Sequence, residues 1–315
     1  SIPSTEEQKV YGQALMDFAR TKNGSYIGRT LTKKEEMAYM LLATNLAAKM
    51  AIDMRLIDPT LPAPTQGKLI TAANNIAEHY KESTAHKGTQ LVFSDIGTPK
   101  SGNQSENLFD YLESKGINED ELRQIFGNGA YDGETQKFNP INQVKKKLAE
   151  VLEYDDQEIS DTIEEANSLD HFNVYAEMKK LLVQRGIPEN EIAFIHDYKT
   201  NVQRSKLFAS VRNGDVRVLL GSTSKLGTGV NAQDRIIAMH HLDVPWRPSD
   251  VEQRNGRGVR QGNVITRDFY DNQLPVYYYA TEATLDAYKY QLLGTKQKYI
   301  SQAKSGAGGV RKISE

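Results

Sequence analysis

GSTSKLGTGVNAQDRIIAMHHLDVPWRPSDVEQRNGRGVRQGN, residues 221–263, is the stretch from which the rest of this chain is read. It follows a run of buried-strand type, Val216-Arg217-Val218-Leu219-Leu220, and closes on what reads as a short helix. Ser249-Asp250-Val251-Glu252 has the form of a capping box, with Ser249 accepting from the first turn and Glu252 reaching back to the cap. At about 100° per residue, Gln253, Arg257 and Arg260 then share an arc of about 60° on one helix face. Gly256 and Gly258 each cost roughly 1 kcal/mol against alanine in a helix interior, so the surroundings, not propensity, must hold this helix. Two guanidinium forks at helical spacing suit a cluster of phosphate oxygens, because arginine stays charged and binds phosphate bidentately. The competing reading is a solvated basic face. Gly227-Thr228-Gly229-Val230-Asn231 adds a loop whose backbone is unobstructed and tolerates positive φ, as loops facing phosphate or ribose require. A G-x-G alone is equally at home in an ordinary strand-to-helix turn.

Taken together, these residues resemble a known family. Ser222-Thr223, Gly227-x-Gly229-x-Asn231, Asp243-x-Pro245-Trp246-x-Pro248 and Gln253-x3-Arg257-x2-Arg260-x-Gly262 are similar to motifs V and VI of superfamily-2 helicases of the Swi/Snf-like branch. More narrowly, the stretch resembles the helicase part of large phage and conjugative-element proteins that join a motor to an N6-adenine DNA methyltransferase. Residue types, order and spacing coincide over some forty positions.

The chain has 315 residues, 38% of them hydrophobic, enough for one large or two modest domains with a buried core. No apolar run approaches the roughly 20 residues of a membrane span, and no signal-peptide pattern opens the chain. Cysteine is absent, which excludes disulfides, thiolate nucleophiles and cysteine zinc sites and fits an intracellular protein. The net charge of −2 argues against nucleic acid until its distribution is considered. Residues 101–170 hold 17 Asp/Glu against 6 Lys/Arg, a balance of −11, which leaves +9 on the remainder.

Away from that acidic segment, strands and helices alternate. A helix around Val10 to Arg20 is followed by a second capping box, Thr32-Lys33-Lys34-Glu35, that leads a helix on through Met50 with Leu42, Leu46 and Met50 on one face. After the break at Asp58-Pro59-Thr60-Leu61-Pro62, a helix from Gly67-Lys68-Leu69 to Tyr80 turns Ile70, Ala73, Ile76 and Ala77 inward, and Lys68 is read as a cap or a solvated residue. Gln90 to Ile96 reads as a buried strand with Ser94 and Asp95 at its carboxyl end, where open α/β sheets collect ligands. From His171 onward come a helix over about 172–186, a strand over 192–196, a helix over 200–213, strands over 216–221 and 235–242, the motif helix and a strand over 276–280. A last helix starts at Thr281 with Leu285, Tyr288 and Leu292 on one face, and the tail is Gly/Ser-rich over 305–309. This succession predicts an α/β fold, a doubly wound parallel sheet, with a helical N-terminal extension and an acidic, mainly helical insertion.

Other chemistries are weaker. His196-Asp197 and His240-His241-x-Asp243 have no zinc spacing and suit hydrogen bonding in a sheet. The G-x-S-x-G elbow, the Walker-type G-x-x-x-x-G-K-[S/T] and the N/D-P-P-Y motif of adenine methylases do not occur in these residues. Asp120-Glu121 lies in a polar helical context unlike a magnesium-binding DE box, and Trp246 between prolines reads as a packing anchor for the motif helix.

The resemblance implies the RecA-like C-terminal lobe of an ATP-dependent DNA helicase or translocase over 66–100 and 171–303. Residues 1–65 are then a helical extension and linker, 101–170 an acidic insertion, and 304–315 a flexible tail. It further implies ATP with Mg2+ as cofactors, the metal held by an N-terminal RecA-like lobe of the same parent protein; the first residue, Ser1 in place of methionine, suggests such a parent. Arg257 and Arg260 would be arginine fingers, with Gln253 positioning them; Gly227, Gly229 and Asn231 would line the nucleotide cleft; Ser94, Ser222 and Thr223 would meet the DNA backbone. DNA and the N-terminal lobe are the implied partners, a methyltransferase domain a further one, with no membrane, in the cytoplasm of a bacterium or encoded by a phage or mobile element. Such a half-motor is expected to turn over no ATP alone. The alternative is a non-enzymatic nucleic-acid-binding or scaffold module with a degenerate helicase lobe. The insertion has two readings, a solvated decoration or an arm that mimics DNA or binds a partner.

Overall fold

A computed structural model describes residues 1–227, 232–245, 247–256 and 274–286. Five parallel strands form one sheet: β1 (Thr89–Phe93), β2 (Ile192–Phe194), β3 (Val218–Gly221), β4 (Ile236–His241) and β5 (Val276–Tyr278), in the order β2-β3-β1-β4-β5. Twelve α-helices are seen among the described residues. α1 (Glu6–Thr21), α2 (Lys33–Met37), α3 (Tyr39–Ile52) and α4 (Lys68–Glu82) precede β1. α5 (Gln104–Ser114), α6 (Glu119–Phe126), α7 (Ile141–Val151) and α8 (Asp156–Ala166) fill the acidic segment. α9 (Val174–Gln184), α10 (Asn201–Asn213), α11 (Thr223–Gly227) and α12 (Pro248–Asn255) connect the later strands.

Alternation along the strands sets the layers. Val92 of β1 and Val218 and Leu220 of β3 point to one face, against Ala73 and Ile76 of α4 and Tyr175, Met178 and Leu182 of α9. Leu91 and Phe93 of β1 and Leu219 of β3 point to the other, against Leu207, Phe208 and Val211 of α10. A parallel sheet buried on both faces between helices is the arrangement the alternating strand and helix signals predict, because each crossover returns over the sheet. β1 lies in the middle, with β2 and β3 to one side and β4 and β5 to the other, so the carboxyl ends of β1, β3 and β4 converge where such sheets bind ligands.

The acidic segment 101–170, expected as an insertion, is built around its own core. Leu108, Phe109, Leu112, Leu122, Phe126 and Leu148 cluster without joining either layer of the sheet. Phe109 meets Phe126 edge-on at 5.3 Å between ring centres and Phe138 at 5.2 Å. The acidic composition notwithstanding, α7 and α8 each carry a buried stripe, Val144 and Leu148 on α7 and Ile159 and Ala166 on α8. The segment leaves and rejoins the lobe at one place, since the His171 ring nitrogen Nε2 lies 2.9 Å from the carbonyl oxygen of Thr98 and Val174 N donates to Gly97 O at 2.9 Å. Gly97 is required there: its φ is +70°, and a Cβ would sit 2.2 Å from Val174 Cγ2.

Several expectations are corrected. The helix led by Thr32 has its capping box, but it breaks at Ala38 (φ −111°, ψ 31°) into α2 and α3, and Tyr39 meets Phe18 of α1 edge-on at 6.3 Å. Leu69 and Ala72 replace Ile70 on the buried stripe of α4. Lys68 is neither cap nor solvated: it is 1% exposed, ion-paired with Asp286, and donates to Leu242 O at 3.0 Å. Ser249 does not cap α12, which begins at Pro248 behind Arg247 with no side-chain cap. Proline has no N–H to satisfy and a pre-set φ, so it occupies the first helical position and Ser249 falls inside the turn. The helix expected after Thr281, with Tyr288 and Leu292, lies for the most part outside the described residues, as does Trp246.

Candidate functional site

The convergent strand ends are joined by one side chain, Arg254. It sits in the last turn of α12 with 0% of its surface exposed. Its Nε donates to Thr223 Oγ1 at 2.8 Å, its Nη2 to Asp243 Oδ1 at 2.9 Å, and its Nη1 to Asp243 O at 3.3 Å. Nη2 also lies 3.1 Å from Asp95 Oδ2. The carboxylates are themselves held: Thr223 N and Oγ1 donate to Asp95 at 2.7 and 2.9 Å, and Asp95 N donates to Asp243 Oδ2 at 2.7 Å. Residues just past β1, β3 and β4 are thereby fastened to α12 through a single guanidinium, as its planar fork allows.

His241, at the end of β4, continues the network. Its Nδ1 is 3.3 Å from Arg254 Nη1 and its Nε2 is 2.8 Å from Asn255 Oδ1, while its ring stacks on Tyr278 at 4.8 Å. Burial and the neighbouring Arg254 push its pKa down to about 3, so it is a neutral ring. Asp95 is pushed up to about 6: burial outweighs the attraction of Arg254, and Asp243 adds repulsion. His240, on the opposite face, is hydrogen-bonded to Gln90 Oε1 at 2.7 Å and Tyr279 OH at 2.8 Å, and burial lowers its pKa well below the ordinary value. Among the described residues no three His, Cys, Asp or Glu side chains are grouped to hold a metal.

Gln253 lines a small cavity of about 30 Å3 beside this network, together with Asp95, Asp243, Asp250 and Glu113. Burial raises the pKa of Glu113 well above the usual carboxyl range, with Asp95 and Asp110 adding to it, and burial raises Asp250 as well. A triphosphate does not fit there: the room is that of a water molecule, and the lining is rich in carboxyl groups, with Arg247 beside them. Arg257, Arg260, Gly229 and Asn231 lie outside the described residues, and Gly227 ends α11.

The three residues expected to meet DNA are buried. Ser94 is 1% exposed and donates to Ile96 O at 2.7 Å; Ser222 is 0% and Thr223 4% exposed. Ser224, next in line, donates to Glu113 of the insertion at 3.0 Å. In this arrangement their hydroxyls serve the strand ends and the insertion. Sequence reasoning did not single out Arg254, because attention went to the helix face shared by Gln253, Arg257 and Arg260, on which it does not lie. The signal was present: Val251, three residues earlier and 4% exposed, marks the buried stripe of α12 on which Arg254 also falls.

Comparison with known proteins agrees with this architecture. Residues 144–262 match the family described as helicase conserved C-terminal domain. Over 96 residues, 30% of this chain, the sequence is 30% identical to "Defense against restriction protein B" of Escherichia phage P1, and the match spans 4% of that protein. No helix among the described residues is long and apolar enough to cross a membrane.

Proposed function

We infer, from a chain that carries a helicase conserved C-terminal domain on a five-stranded parallel sheet, that it is the C-terminal RecA-like lobe of an ATP-dependent DNA helicase or translocase. The observation that carries the reading is the locking of α12 to the carboxyl ends of β1, β3 and β4 by Arg254, on the edge where the matched family's segment ends. Arg257 and Arg260, the next arginines along the chain, follow directly on this anchored helix in the sequence.

In this reading ATP with Mg2+ binds between this lobe and an N-terminal lobe of the parent protein, and supplies a transferring γ-phosphoryl group whose developing charge needs cations. Arg257 and Arg260 answer that charge. Gln253, at the end of α12, orients them, and Gly227, Gly229 and Asn231 leave backbone room for the nucleotide. DNA is the substrate track, met at its phosphates, since a motor that steps over any sequence cannot depend on base edges. Ser222, Thr223 and Ser94 reach those phosphates only if their present partners give way. A phage relative named for defence against restriction fits a mobile-element origin, with a methyltransferase domain as a neighbour in the parent.

The test has two parts. The 315-residue chain alone is expected to hydrolyse no ATP with or without DNA, and robust DNA-stimulated turnover after controls for contaminating ATPase refutes the half-motor. In the complete motor, Arg257→Ala or Arg260→Ala is expected to cut turnover by about 10³-fold or more while DNA binding persists. Retained turnover removes the finger assignment and favours the scaffold reading.

A further inference from the structure

Along the seam between the insertion and the lobe, cations of the lobe meet anionic or carbonyl oxygens of the insertion. Lys199 Nζ lies 2.5 Å from Glu106 Oε1, and Lys225 Nζ lies 3.5 Å from the same oxygen and 2.9 Å from Gln136 Oε1. Arg204 donates to Gly133 O and to Gln136 Oε1, both at 3.2 Å, and Arg247 donates to Ile117 O at 3.2 Å. These four cations come from the segments before and within α10, α11 and the start of α12, and each finds an acceptor on residues 101–170, although Arg204 also donates to Tyr198 O and Arg247 pairs with Asp250.

The seam is open where a domain core is filled. A groove of about 510 Å3 runs between Ser101, Glu106, Gln136 and Phe138 on the insertion and Lys199, Arg204 and Lys225 on the lobe. Deeper in, Asp110 and His196 face each other 3.3 Å apart, both buried, without an aligned hydrogen bond between them. An interface with a groove and an unsatisfied polar pair, between apolar clusters that do not merge, resembles one between separable bodies more than the interior of one. The segment has its own core and its two ends meet at Thr98 and His171, the topology of a body able to part from the sheet as a unit once the seam contacts are broken.

We propose that the lobe surface carrying Lys199, Arg204, Lys225 and Arg247 is a nucleic-acid phosphate site that the acidic insertion occupies in cis, and that nucleic acid and insertion exclude one another there. The segment's −11 balance supplies the charge of a polyanion, and Glu106 stands where a phosphate would bridge Lys199 and Lys225. Lys225, 2% exposed, becomes available only when the insertion moves. The proposal rests on the reading that this edge meets nucleic acid, but not on the arginine fingers.

The experiment measures binding of a fluorescein-labelled mixed-sequence duplex and its single strand by anisotropy across a salt series. The forms compared are the full chain, a form with 101–170 replaced by a short Gly/Ser linker, Glu106→Lys in the full chain, and the linker form carrying Lys199→Glu and Arg204→Glu. Removing the insertion is expected to tighten binding at least about tenfold at low salt and to steepen the log–log salt slope for the duplex by up to about 3.6, about 0.9 for each of the four cations. Glu106→Lys moves affinity the same way by a smaller factor, and the double charge reversal abolishes the gain. A linker form that melts cooperatively yet binds like the full chain overturns the proposal. Should that form not fold, unchanged affinity in Glu106→Lys overturns it instead. Absence of binding in every form also overturns it, while the finger reading is judged separately by hydrolysis in the complete motor.

Discussion

Replacing Arg254 by methionine keeps most of the side-chain volume and removes the charge that fastens α12 to three strand ends. The structure sets the cost. Asp243 loses a donor at 2.9 Å, Asp95 a cation at 3.1 Å, and Thr223 Oγ1 a donor at 2.8 Å, all in a site with 0% exposure at the guanidinium. Breaking a buried ion pair by removing one partner costs about 3–5 kcal/mol, because the remaining charge is left uncompensated. The lower part of that range applies here. Asp95 already titrates at about 6, Arg254 holds it down, and without Arg254 it takes up a proton in place of enduring a bare charge. About 3 kcal/mol of stability should be lost near neutral pH, and less at pH 5, where Asp95 is protonated more readily. Urea unfolding followed by circular dichroism and by fluorescence of Trp246, the single tryptophan, reads the loss. A second change, Asp243→Asn, should return part of it, with a coupling of about 1–3 kcal/mol in the double-mutant cycle. A loss below about 1 kcal/mol, or strict additivity of the two changes, would refute the claim that this guanidinium organises the site.

Two more outcomes are expected at neighbouring groups. Lys68→Met leaves Asp286 without its buried partner and should cost about 3–5 kcal/mol, seen as a lower melting temperature that Asp286→Asn in the same chain partly restores. Asp95→Asn tests the pH dependence: because the folded pKa is raised to about 6, the stabilising contribution of the protonated group is present below about pH 4 and is lost as pH rises through 6, so the variant should gain on the wild type over that window. Denaturation midpoints at pH 4.5 and 7 give the comparison, and a difference that does not change with pH removes the assignment.

The parts of the fold that were legible in the sequence are those decided locally. The apolar run at β1, the capping box of α10 at Thr200 and Gln203, and the stripe Tyr175, Met178 and Leu182 on α9 each follow from spacing within one element. The proline at the start of α12 was equally local, and the more familiar Ser249 to Glu252 pattern obscured it. What escaped depends on partners far along the chain. Lys68 is buried because Asp286 and the carbonyl of Leu242 come to it, and Arg254 because Asp95, Thr223 and Asp243 do. A charged residue reads as exposed until the sheet order puts an opposite charge beside it, and that order is not written in any one stretch. The acidic segment 101–170 stood out by its charge, while its core, carried on α5 by Leu108 and Phe109 with Leu112 one turn on, was legible and went unread.

The meeting of Thr98 with His171 has a use beyond this chain. A fold in which some seventy residues run out from the sheet and return to a neighbouring position, where Val174 N also donates to Gly97 O, is a natural graft point. A fluorescent or ligand-sensing module spliced there would be carried on the sheet's working edge, and its signal would follow motions of that edge without a label on the sheet itself.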